Sequence, residues 1–503
     1  MTGRGVLKLE EARGICEMVM PRLDFRQGDP MPEARELVRL GVGGFLVFGG
    51  DVHRVSKCIA ELTMLAPSPL FFAIDAERGV GQIVEGGVKL PFPMALGAAD
   101  DPLLAARVGS LIAREMKSVG LNLLFAPVAD VNTNPKNPII NIRSFGDDPV
   151  RVARLVGAFV EGVEGEGVLA CAKHFPGHGG TDLDSHTSLP YSGESLGEIE
   201  ECHLIPFKSA IGSQVSSIMT AHVAFPALSP APATLSPAVV RSLLIERLGF
   251  CGIVVTDSLR MDAVSLYAPQ AEVARLAVGA GCDVLLDPMD PRALLRELSG
   301  SLRKEQIEGS LAKISSFKAR LTRAGRESCD VSFEGEARSL RCEIAERSIC
   351  LVAGAPGISS RASLFVLDAA CDGSALGARF LLSLREGGVE ASLVATWGGG
   401  GQAIDVPRDS NDTLVFLVYT GVSAGRRHTE LPEFHGDFLR KAAALTRRKV
   451  LVVFGSPYVA LGLGGFDTVI VALDRLEEFE DAAARVLLGS LKPLGRLPVR
   501  PSF

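Results

Sequence analysis

Short apolar runs recur along the first 300 residues, and polar loop residues followed by a helical pattern separate one run from the next. Continuous apolar runs of this length are typical of strands that are buried on both faces, as in parallel sheets. Helical periodicity between them covers residues 103–119, 150–164, 237–248 and 271–279. The predicted strands are Glu17–Met20, Gly44–Phe48, Leu70–Ile74, Leu121–Ala126, Val168–Ala172, Ser217–Thr220, Gly252–Thr256 and Cys282–Leu286.

This alternation predicts an α/β fold built from strand–helix units with right-handed crossovers. Eight strands within about 300 residues fit a closed (β/α)8 barrel of the TIM type better than an open sheet. We therefore expect residues 1–305 to form a barrel domain.

The remaining sequence predicts a second, smaller domain. Residues 306–347 are charged and helical in pattern, which indicates a linker helix, and residues 348–503 return to strand-like runs. We expect this last part to form an α/β sandwich. Its predicted strands are Ser348–Ala353, Ser363–Asp368, Ala391–Thr396, Thr413–Tyr419, Lys449–Phe454 and Thr468–Ala472.

Composition narrows the class of protein. The net charge of −7 gives no electrostatic reason to expect binding to nucleic acid or to an anionic membrane. No apolar run approaches the roughly 18 residues of a membrane span, and the first residues lack the apolar core of a secretory signal. The ten cysteines form no C-x-x-C pair. We expect reduced thiols and a soluble, cytoplasmic protein.

Ionisable residues lie at or just beyond the ends of several predicted strands. Because catalytic groups of such barrels come from the carboxyl ends of several strands, these side chains are expected to converge. A strand that ends in a polar residue is common, but that explanation covers one or two sites more readily than all of them. The residues are Asp75, Asp130, Lys173, His174, His222 and Asp257.

The segment 173–190 holds three histidines and two aspartates in a glycine-rich stretch that predicts a shaped loop. One interpretation is a metal site of His174, His178 and His186, although the first two are separated by Pro176 and Gly177 and cannot share a helical face. A second is a structural loop whose histidines, His178 among them, cap strand ends.

The third interpretation is acid–base catalysis. Asp184 and His186 are two residues apart, so the carboxylate can fix the imidazole tautomer and leave the other ring nitrogen to move a proton. Asp257, at the end of a buried strand, can then act as a nucleophile or as an electrostatic stabiliser. The alternative for Asp257 is an N-cap of the next helix.

Several motifs together resemble glycoside hydrolase family 3, and within it the bacterial β-N-acetylglucosaminidases of cell-wall turnover. The resemblance runs in order over residues 15–300. The long K-H-F-P-G-H-G…D-S-H motif is its most specific part, and residues beyond 300 resemble the family's second domain more loosely. The motifs lie at Met18–Pro21, Gly43–Gly50, Ile74–Gly79, Arg143–Pro149, Lys173–Pro190, Met219–Pro226, Ala233–Ser236 and Val255–Met261.

The resemblance implies a retaining exo-β-N-acetylglucosaminidase that acts on peptidoglycan-derived fragments without a metal or another cofactor. Asp257 would be the nucleophile, and His186, oriented by Asp184, the acid and base. The Asp-x-His feature favours this branch over relatives that use a glutamate. The residues implied to bind the terminal sugar through its hydroxyls are Asp75, Arg143, Lys173 and His174, and those implied to shape its pocket are Asp130 and Met261.

Other functions stay open at this point. Phosphate could replace water as the acceptor, the enzyme could be a β-glucosidase or β-xylosidase, or the chain could bind sugar without turnover. The sequence departs from the family pattern at Arg78 and Arg260, and the latter bears on what lies beyond the cleaved bond. The loop 425–430 is expected to be a solvated surface loop. The sequence gives no oligomeric state.

Overall fold

The computed structural model describes residues 14–185, 188–299, 301–302, 304–321, 332–369, 376–397, 412–421 and 431–500, without the side chains of 304–306. Contacts divide the chain into two compact units. The first comprises the described residues of Met1–Leu90, Pro102–Val131 and Val152–Ala337. The second comprises those of Pro91–Asp101, Asn132–Arg151 and Arg338–Phe503. Two segments that precede position 152 therefore belong with the C-terminal part.

The strands of the first unit are short and almost wholly buried. They are β1 Val19–Met20, β2 Arg22–Asp24, β3 Gly44–Phe48, β4 Phe71–Ile74, β5 Leu123–Leu124, β6 Leu169–Phe175, β7 Ser217–Thr220, β8 Ala224–Phe225, β9 Ser229–Pro232, β10 Ile253–Thr256 and β11 Leu285–Leu286. β8 and β9 form a separate antiparallel pair.

Helices follow the strands along the chain, some of them belonging in part or whole to the second unit. They are α1 Met31–Leu40, α2 Val52–Leu65, α3 Pro93–Ala99, α4 Pro102–Val119, α5 Pro149–Gly165, α6 Leu196–Glu198, α7 Leu204–Gly212, α8 Asp262–Ser265, α9 Gln270–Ala280, α10 Pro291–Leu298, α11 Lys304–Leu321 and α12 Glu334–Ser348. Residues 199–203 and 238–247 are π-helical, and 3-10 turns cover residues 25–27, 80–82, 141–143 and 233–235.

The strands of the first unit close into the predicted (β/α)8 barrel. Seven run in the parallel order β10-β7-β6-β5-β4-β3-β2. β1, separated from β2 only by Pro21, pairs in parallel with β11. A parallel bridge between Val255 and Val284 then joins β10 to the residue before β11. With β1 and β2 counted as one interrupted strand, eight strands form the ring.

Strand bounds differ from the sequence prediction in several places. β11 begins three residues later than predicted, and β2, β8 and β9 were not predicted. β5 is confined to Leu123–Leu124, although the Phe125 amide still donates to the Ile74 carbonyl at 3.0 Å. β6 instead runs three residues further than predicted, through Phe175, into the segment expected to be a loop. That extension buries Lys173 and His174, which is tolerable only because both have carboxylate partners.

The second unit contains a six-stranded sheet. Its strands are β12 Cys350–Gly354, β13 Arg361–Asp368, β14 Glu390–Trp397, β15 Thr413–Tyr419, β16 Lys449–Phe454 and β17 Thr468–Ala472, and its later helices are α13 Ala378–Glu386, α14 Glu433–Ala443, α15 Tyr458–Leu461 and α16 Glu477–Leu488. The strands lie in the order β12-β17-β16-β15-β13-β14, and all neighbouring pairs are parallel except the antiparallel pair of β12 with β17. The order β14-β13-β15-β16-β17 is that of a doubly wound α/β sheet, which confirms the predicted α/β class.

No helix within the described ranges combines the length and hydropathy that a membrane span needs.

Candidate active site

The carboxyl ends of the barrel strands gather most of the predicted polar residues within the first unit. Asp75 follows β4, Lys173 and His174 lie in β6, and Asp257 follows β10. Asp130 lies beyond β5 and His222 beyond β7. Because all of these strands run in the same direction around the ring, their carboxyl ends share one rim of the barrel.

Lys173 is held between two carboxylates on the segment after β4. Its Nζ lies 2.7 Å from Oδ1 of Asp75 and 2.8 Å from Oε1 of Glu77. The lysine and Glu77 are buried, whereas the Asp75 side chain is 34% exposed. The Oδ2 atom of Asp75 makes no hydrogen bond with the described residues, so this carboxylate can accept from a ligand hydroxyl.

Glu77 is a residue that the sequence analysis missed. It stands two positions after Asp75 in the same motif, Ile74-Asp-Ala-Glu-Arg-Gly79, so both carboxylates can reach one ammonium group. The signal was therefore present, but nothing in the sequence pairs it with a lysine about 100 residues away. Its effect is electrostatic, because a second carboxylate beside the buried ammonium group adds to the charge that compensates its desolvation.

Asp130 organises the end of β6 from a fully buried position. It accepts the backbone amides of His174 and His178, the latter at 2.6 Å, and the Nδ1–H of His174 at 2.7 Å. Burial raises the pKa of this carboxyl, but the His174 ring and the donated hydrogen bonds outweigh it and the pKa is lowered. The Nε2 atom of His174 has no hydrogen-bond partner among the described residues and can contact a ligand.

His178 is structural. Both of its ring nitrogens are engaged, Nδ1 with the Thr181 hydroxyl at 2.9 Å and Nε2 with the Ser185 hydroxyl at 3.0 Å. Burial, followed by the charge of His174, lowers the pKa of His178 to about 4, so the ring is neutral at pH 7. A side chain with both nitrogens occupied cannot ligate a metal, and this supports the structural interpretation for His178.

Asp257 lies half-buried at the barrel rim, and the Ser258 amide donates to its Oδ1 at 2.7 Å. Burial raises the pKa of the Cys171 thiol to about 12, and the charges of Asp75 and Asp257 add to that rise. The charges of both carboxylates therefore act on one buried thiol group. Asp257 is not the N-cap of the next helix: α8 begins after Met261, which has no side-chain cap, so that alternative is wrong.

His222 supports the turn that carries Asp257. Its Nε2–H donates to the carbonyl of Ser258 at 3.1 Å, and its Nδ1 lies 2.8 Å from the Thr234 hydroxyl. Burial lowers the pKa of this histidine despite the nearby charge of Asp257, so it stays neutral and keeps one donor and one acceptor. It positions the turn and is not itself presented to a ligand, since it is fully buried.

Asp184 and Met261 are both buried, at 6% and 5% exposure. The loop that carries Asp184 reaches the segment after Asp257, because the carbonyl of Ser185 accepts the amide of Ala263 at 3.4 Å. His186 lies outside the described residues, as does the loop 425–430. This contact thus joins the loop of the predicted acid–base pair to the helix that follows the predicted nucleophile.

Arg143 belongs to the second unit, where it ends a 3-10 turn over Asn141–Arg143 and its Nη1 donates to the Ile139 carbonyl at 2.9 Å. Asn141 in the same turn is fully buried, and its side-chain amide has no hydrogen-bond partner among the described residues. No sequence motif singles out this asparagine as a candidate site residue.

The two positions that depart from the family pattern have structural partners. Arg78 donates from Nε to the Leu90 carbonyl at 3.0 Å, which ties together the segment after β4. Arg260 donates from Nε to Asp287 at 3.1 Å and from Nη2 to the Met289 carbonyl at 3.0 Å.

The chain is similar in sequence to known β-hexosaminidases. β-Hexosaminidase A of Pseudoalteromonas piscicida is 35% identical over 349 residues, which cover 61% of this chain and 57% of that protein. The β-hexosaminidase of Pseudomonas aeruginosa (strain LESB58) is 36% identical over 260 residues, 50% of this chain and 77% of that protein. The chain thus aligns with little more than half the length of the first of these relatives.

A solved structure extends the likeness to both units. The glycoside hydrolase family 3 β-N-acetylglucosaminidase from Paenibacillus sp. str. FPU-7 is similar with a TM-score of 0.84 and 28% identity, over 98% of this chain and 99% of that one. Residues 13–323 match the family model described as the N-terminal domain of glycosyl hydrolase family 3. That match covers more than half of the sequence and includes the whole barrel, and the chain therefore belongs to glycosyl hydrolase family 3.

Proposed function

We propose that this family 3 glycoside hydrolase is a retaining exo-β-N-acetylglucosaminidase that releases terminal β-linked N-acetylglucosamine from peptidoglycan-derived fragments. The observation that carries the proposal is the position of Asp257 at the barrel rim, with the loop of Asp184 hydrogen-bonded to the segment that follows it. The names of the two β-hexosaminidases and of the similar solved structure support the choice of sugar. The peptidoglycan source rests on the motif resemblance.

The first step forms a covalent glycosyl-enzyme. An oxygen of Asp257 attacks the anomeric carbon while His186, oriented by Asp184, gives its proton to the departing glycosidic oxygen. In the second step His186 takes a proton from water, the water oxygen attacks the anomeric carbon, and the bond to Asp257 breaks. The Ser258 amide at 2.7 Å supports the carboxylate whenever it is free.

We propose that side chains at the same rim of the barrel as Asp257 bind the sugar. Oδ2 of Asp75 is available to accept from a sugar hydroxyl, and Nε2 of His174 is available because Asp130 occupies the other ring nitrogen. Lys173 holds the Asp75 carboxylate in place through the ion pair at 2.7 Å. The motif resemblance implies sugar binding for Arg143 as well, and we assign Asp130 and Met261 to shaping the pocket. None of these roles needs a metal or another cofactor.

The thiols support a reducing compartment for this reaction. Cys251 and Cys342 are free and exposed. Exposed free thiols persist where the surroundings keep them reduced. We accordingly propose that the enzyme works in the cytoplasm on fragments that have been taken up.

The test is mechanism-based trapping. We expect a 5-fluoro N-acetylglucosaminyl fluoride to label the wild type by one sugar mass on the peptide that contains Asp257. Asp257→Ala should lower kcat on a 4-nitrophenyl N-acetyl-β-glucosaminide by about 10⁴-fold or more, because the covalent route is lost. Glu272→Gln, a surface substitution on α9, is the matched control and should keep parental kinetics.

The products decide among the alternatives. In phosphate buffer, release of N-acetylglucosamine supports hydrolysis, whereas N-acetylglucosamine 1-phosphate would show phosphorolysis. Faster cleavage of a β-glucoside or β-xyloside would overturn the sugar assignment. Binding of N-acetylglucosamine without turnover, or label on another carboxylate, would overturn the mechanism.

A further inference from the structure

The loop that carries Asp184 packs against two ionisable side chains that take no part in the proposed chemistry. His203, which is 1% exposed, ends the π-helical residues 199–203, and its Nε2 lies 2.6 Å from Oε1 of Glu194. Because a carboxylate only accepts hydrogen bonds, the ring nitrogen is the donor. The other oxygen of Glu194 accepts the Ser192 hydroxyl at 2.6 Å. We call Glu194 and His203 the supporting pair.

The supporting pair lies directly against two glycines of that loop. A Cβ added at Gly177, where φ is +142°, would lie 2.8 Å from the Cβ of His203 and 2.9 Å from its Nδ1. A Cβ added at Gly180 would lie 2.5 Å from Oε1 of Glu194. Distances this short leave no room for a side chain at either position. The backbone of the loop is therefore in direct contact with both members of the pair.

Hydrogen bonds connect the two glycines to the residues beside Asp184. His178, which lies between the glycines in sequence, binds the Thr181 hydroxyl through Nδ1 at 2.9 Å and the Ser185 hydroxyl through Nε2 at 3.0 Å. Ser185 directly follows Asp184 and directly precedes His186. A shift of the backbone at residues 177–180 would therefore be passed on to the predicted acid–base pair.

The supporting pair is itself fixed to the barrel domain. The amide of Ser192 donates to the Ala224 carbonyl at 2.9 Å, and the Ala224 amide donates to the Pro190 carbonyl at 3.0 Å. Strand β8, which begins at Ala224, thus holds the segment that precedes Glu194. Since both oxygens of Glu194 accept a hydrogen bond, the carboxylate cannot turn aside from Gly180 without breaking one of them.

Simple core packing does not account for the imidazole of His203. Its Nδ1 is buried, faces Gly177 and has no hydrogen-bond partner among the described residues. An apolar ring would fill the same space without leaving a polar atom unpaired, which costs stability. What the imidazole adds is the donor that fixes Glu194 against Gly180. His203 also ends a π-helical turn, a rare geometry that is frequent at functional sites.

We propose that Glu194 and His203 are positioning residues for acid–base catalysis, which hold the loop so that His186 meets the departing glycosidic oxygen. This inference rests on the proposed function and concerns proton transfer alone, because no described contact joins the pair to Asp257 or Asp75. A proton is transferred only over hydrogen-bond distance, so a displacement of the loop by about 1 Å is enough to impair the acid.

The experiment compares two aryl N-acetyl-β-glucosaminides that differ only in the leaving group. A 2,4-dinitrophenolate departs without a proton, whereas a 4-methoxyphenolate needs one from the acid. For both substrates kcat/KM reports the formation of the glycosyl-enzyme, which is the first irreversible step. In Glu194→Gln and His203→Phe we expect kcat/KM to fall by about 10- to 100-fold for the methoxyphenyl substrate and by less than about threefold for the dinitrophenyl substrate.

Two alanine substitutions in the same segment form a matched pair. Gly180→Ala places a methyl group against the Glu194 carboxylate and should show the same selective loss. A Cβ at Gly193 meets nothing within 4 Å, so Gly193→Ala is the control and should leave both values unchanged. Asp184→Asn calibrates the selective loss that follows when acid catalysis itself fails. Glu194→Gln and Gly180→Ala decide the result if His203→Phe does not fold.

The ratio of the two substrates within each variant separates positioning from folding, because partial unfolding lowers both values together. An equal fall for both substrates in Glu194→Gln and Gly180→Ala, or no fall for either, would overturn the positioning role. An equal fall in Asp184→Asn would show that the acid–base assignment, on which the inference rests, is wrong. Failure of the wild type to cleave either substrate would overturn the proposed function as a whole.

Discussion

At the scale of single residues, the barrel rim is a set of buried charges, each with a defined partner. Lys173 has two carboxylates, Asp130 has a ring and two amides, and Asp287 has two arginines. Leaving one partner of such a pair buried without the other costs several kcal/mol. Each buried charge is therefore held firmly in position by its partners. Oδ2 of Asp75 and Nε2 of His174, which have no hydrogen-bond partner among the described residues, are the atoms expected to meet the sugar.

His178 gives the stability of the folded protein a measurable pH dependence. Its pKa is lowered from 6.5 to about 4 in the folded protein, so between these values the unfolded chain binds a proton that the folded chain does not. The free energy of unfolding should therefore fall as pH falls, by roughly 2 kcal/mol from pH 7 to pH 5 through this residue alone. In His178→Gln that contribution is absent.

Urea unfolding of the parent and of His178→Gln at pH 7 and pH 5 checks this. The variant loses hydrogen bonds at both pH values, so only the difference between the two pH values is compared. The same fall in both proteins would mean that His178 is protonated as readily in the folded state as in the unfolded one.

At the scale of elements, α4 and α5 approach each other closely at two glycines. A Cβ added at Gly162 would lie 2.1 Å from the Ala106 carbonyl oxygen, and one at Gly109 would lie 2.5 Å from the Phe159 carbonyl oxygen. The obstacles are backbone atoms, which cannot rotate away. In the sequence these glycines look like weak points of helical patterns, whereas in the fold they set the distance between the helices.

Gly162→Ala should therefore destabilise the protein by about 1–3 kcal/mol, as overpacking of a close contact does. Gly165→Ala in the same helix is the matched control, since a Cβ there meets nothing within 4 Å. That control should be neutral or stabilising by up to about 1 kcal/mol. Chemical unfolding of both variants measures the difference, and equal stabilities would refute the close approach.

At the scale of the whole molecule, the sequence predicts the succession of strands better than it predicts which segments pack together. Apolar runs such as Gly44–Phe48 and Ile253–Thr256 identify strands because burial on both faces demands them. The partners of Lys173 were not predictable, since its two carboxylates lie about 100 residues earlier. Glu77 was missed for that reason, and Asp287 was missed because its partner Arg22 lies 265 residues earlier. β6 was predicted too short because a lysine in the sequence looks like a loop residue.

The make-up of the second unit was also beyond the sequence pattern. It includes residues 91–101 and 132–151, which lie within the stretch predicted to be all barrel. Within this unit, the Phe92 amide donates to the buried Asp474 at 2.8 Å and Asn132 donates to the Tyr458 hydroxyl at 2.5 Å. Contacts of this kind are set by packing over several hundred residues and leave no local signal.

A fragment of residues 338–503 should consequently fail to fold cooperatively, because it lacks both segments. Asp474, 1% exposed in the intact unit, would lose the Phe92 amide, and Tyr458 would lose Asn132. We expect circular dichroism of the fragment to show no sharp thermal transition under conditions in which the full chain gives one. A cooperative transition in the fragment would show that these segments are dispensable.

The closure of the barrel also has a consequence in time. β1 and β2 come first in the chain, yet β1 pairs with β11, and Arg22 binds Asp287, 265 residues later. At about 5–20 residues per second, a ribosome needs roughly 13–50 s to deliver that partner. Throughout this interval the first strand has one unpaired edge, which is a template for pairing with other chains. Synthesis of this protein therefore includes a period of exposure that only its last barrel strand can end.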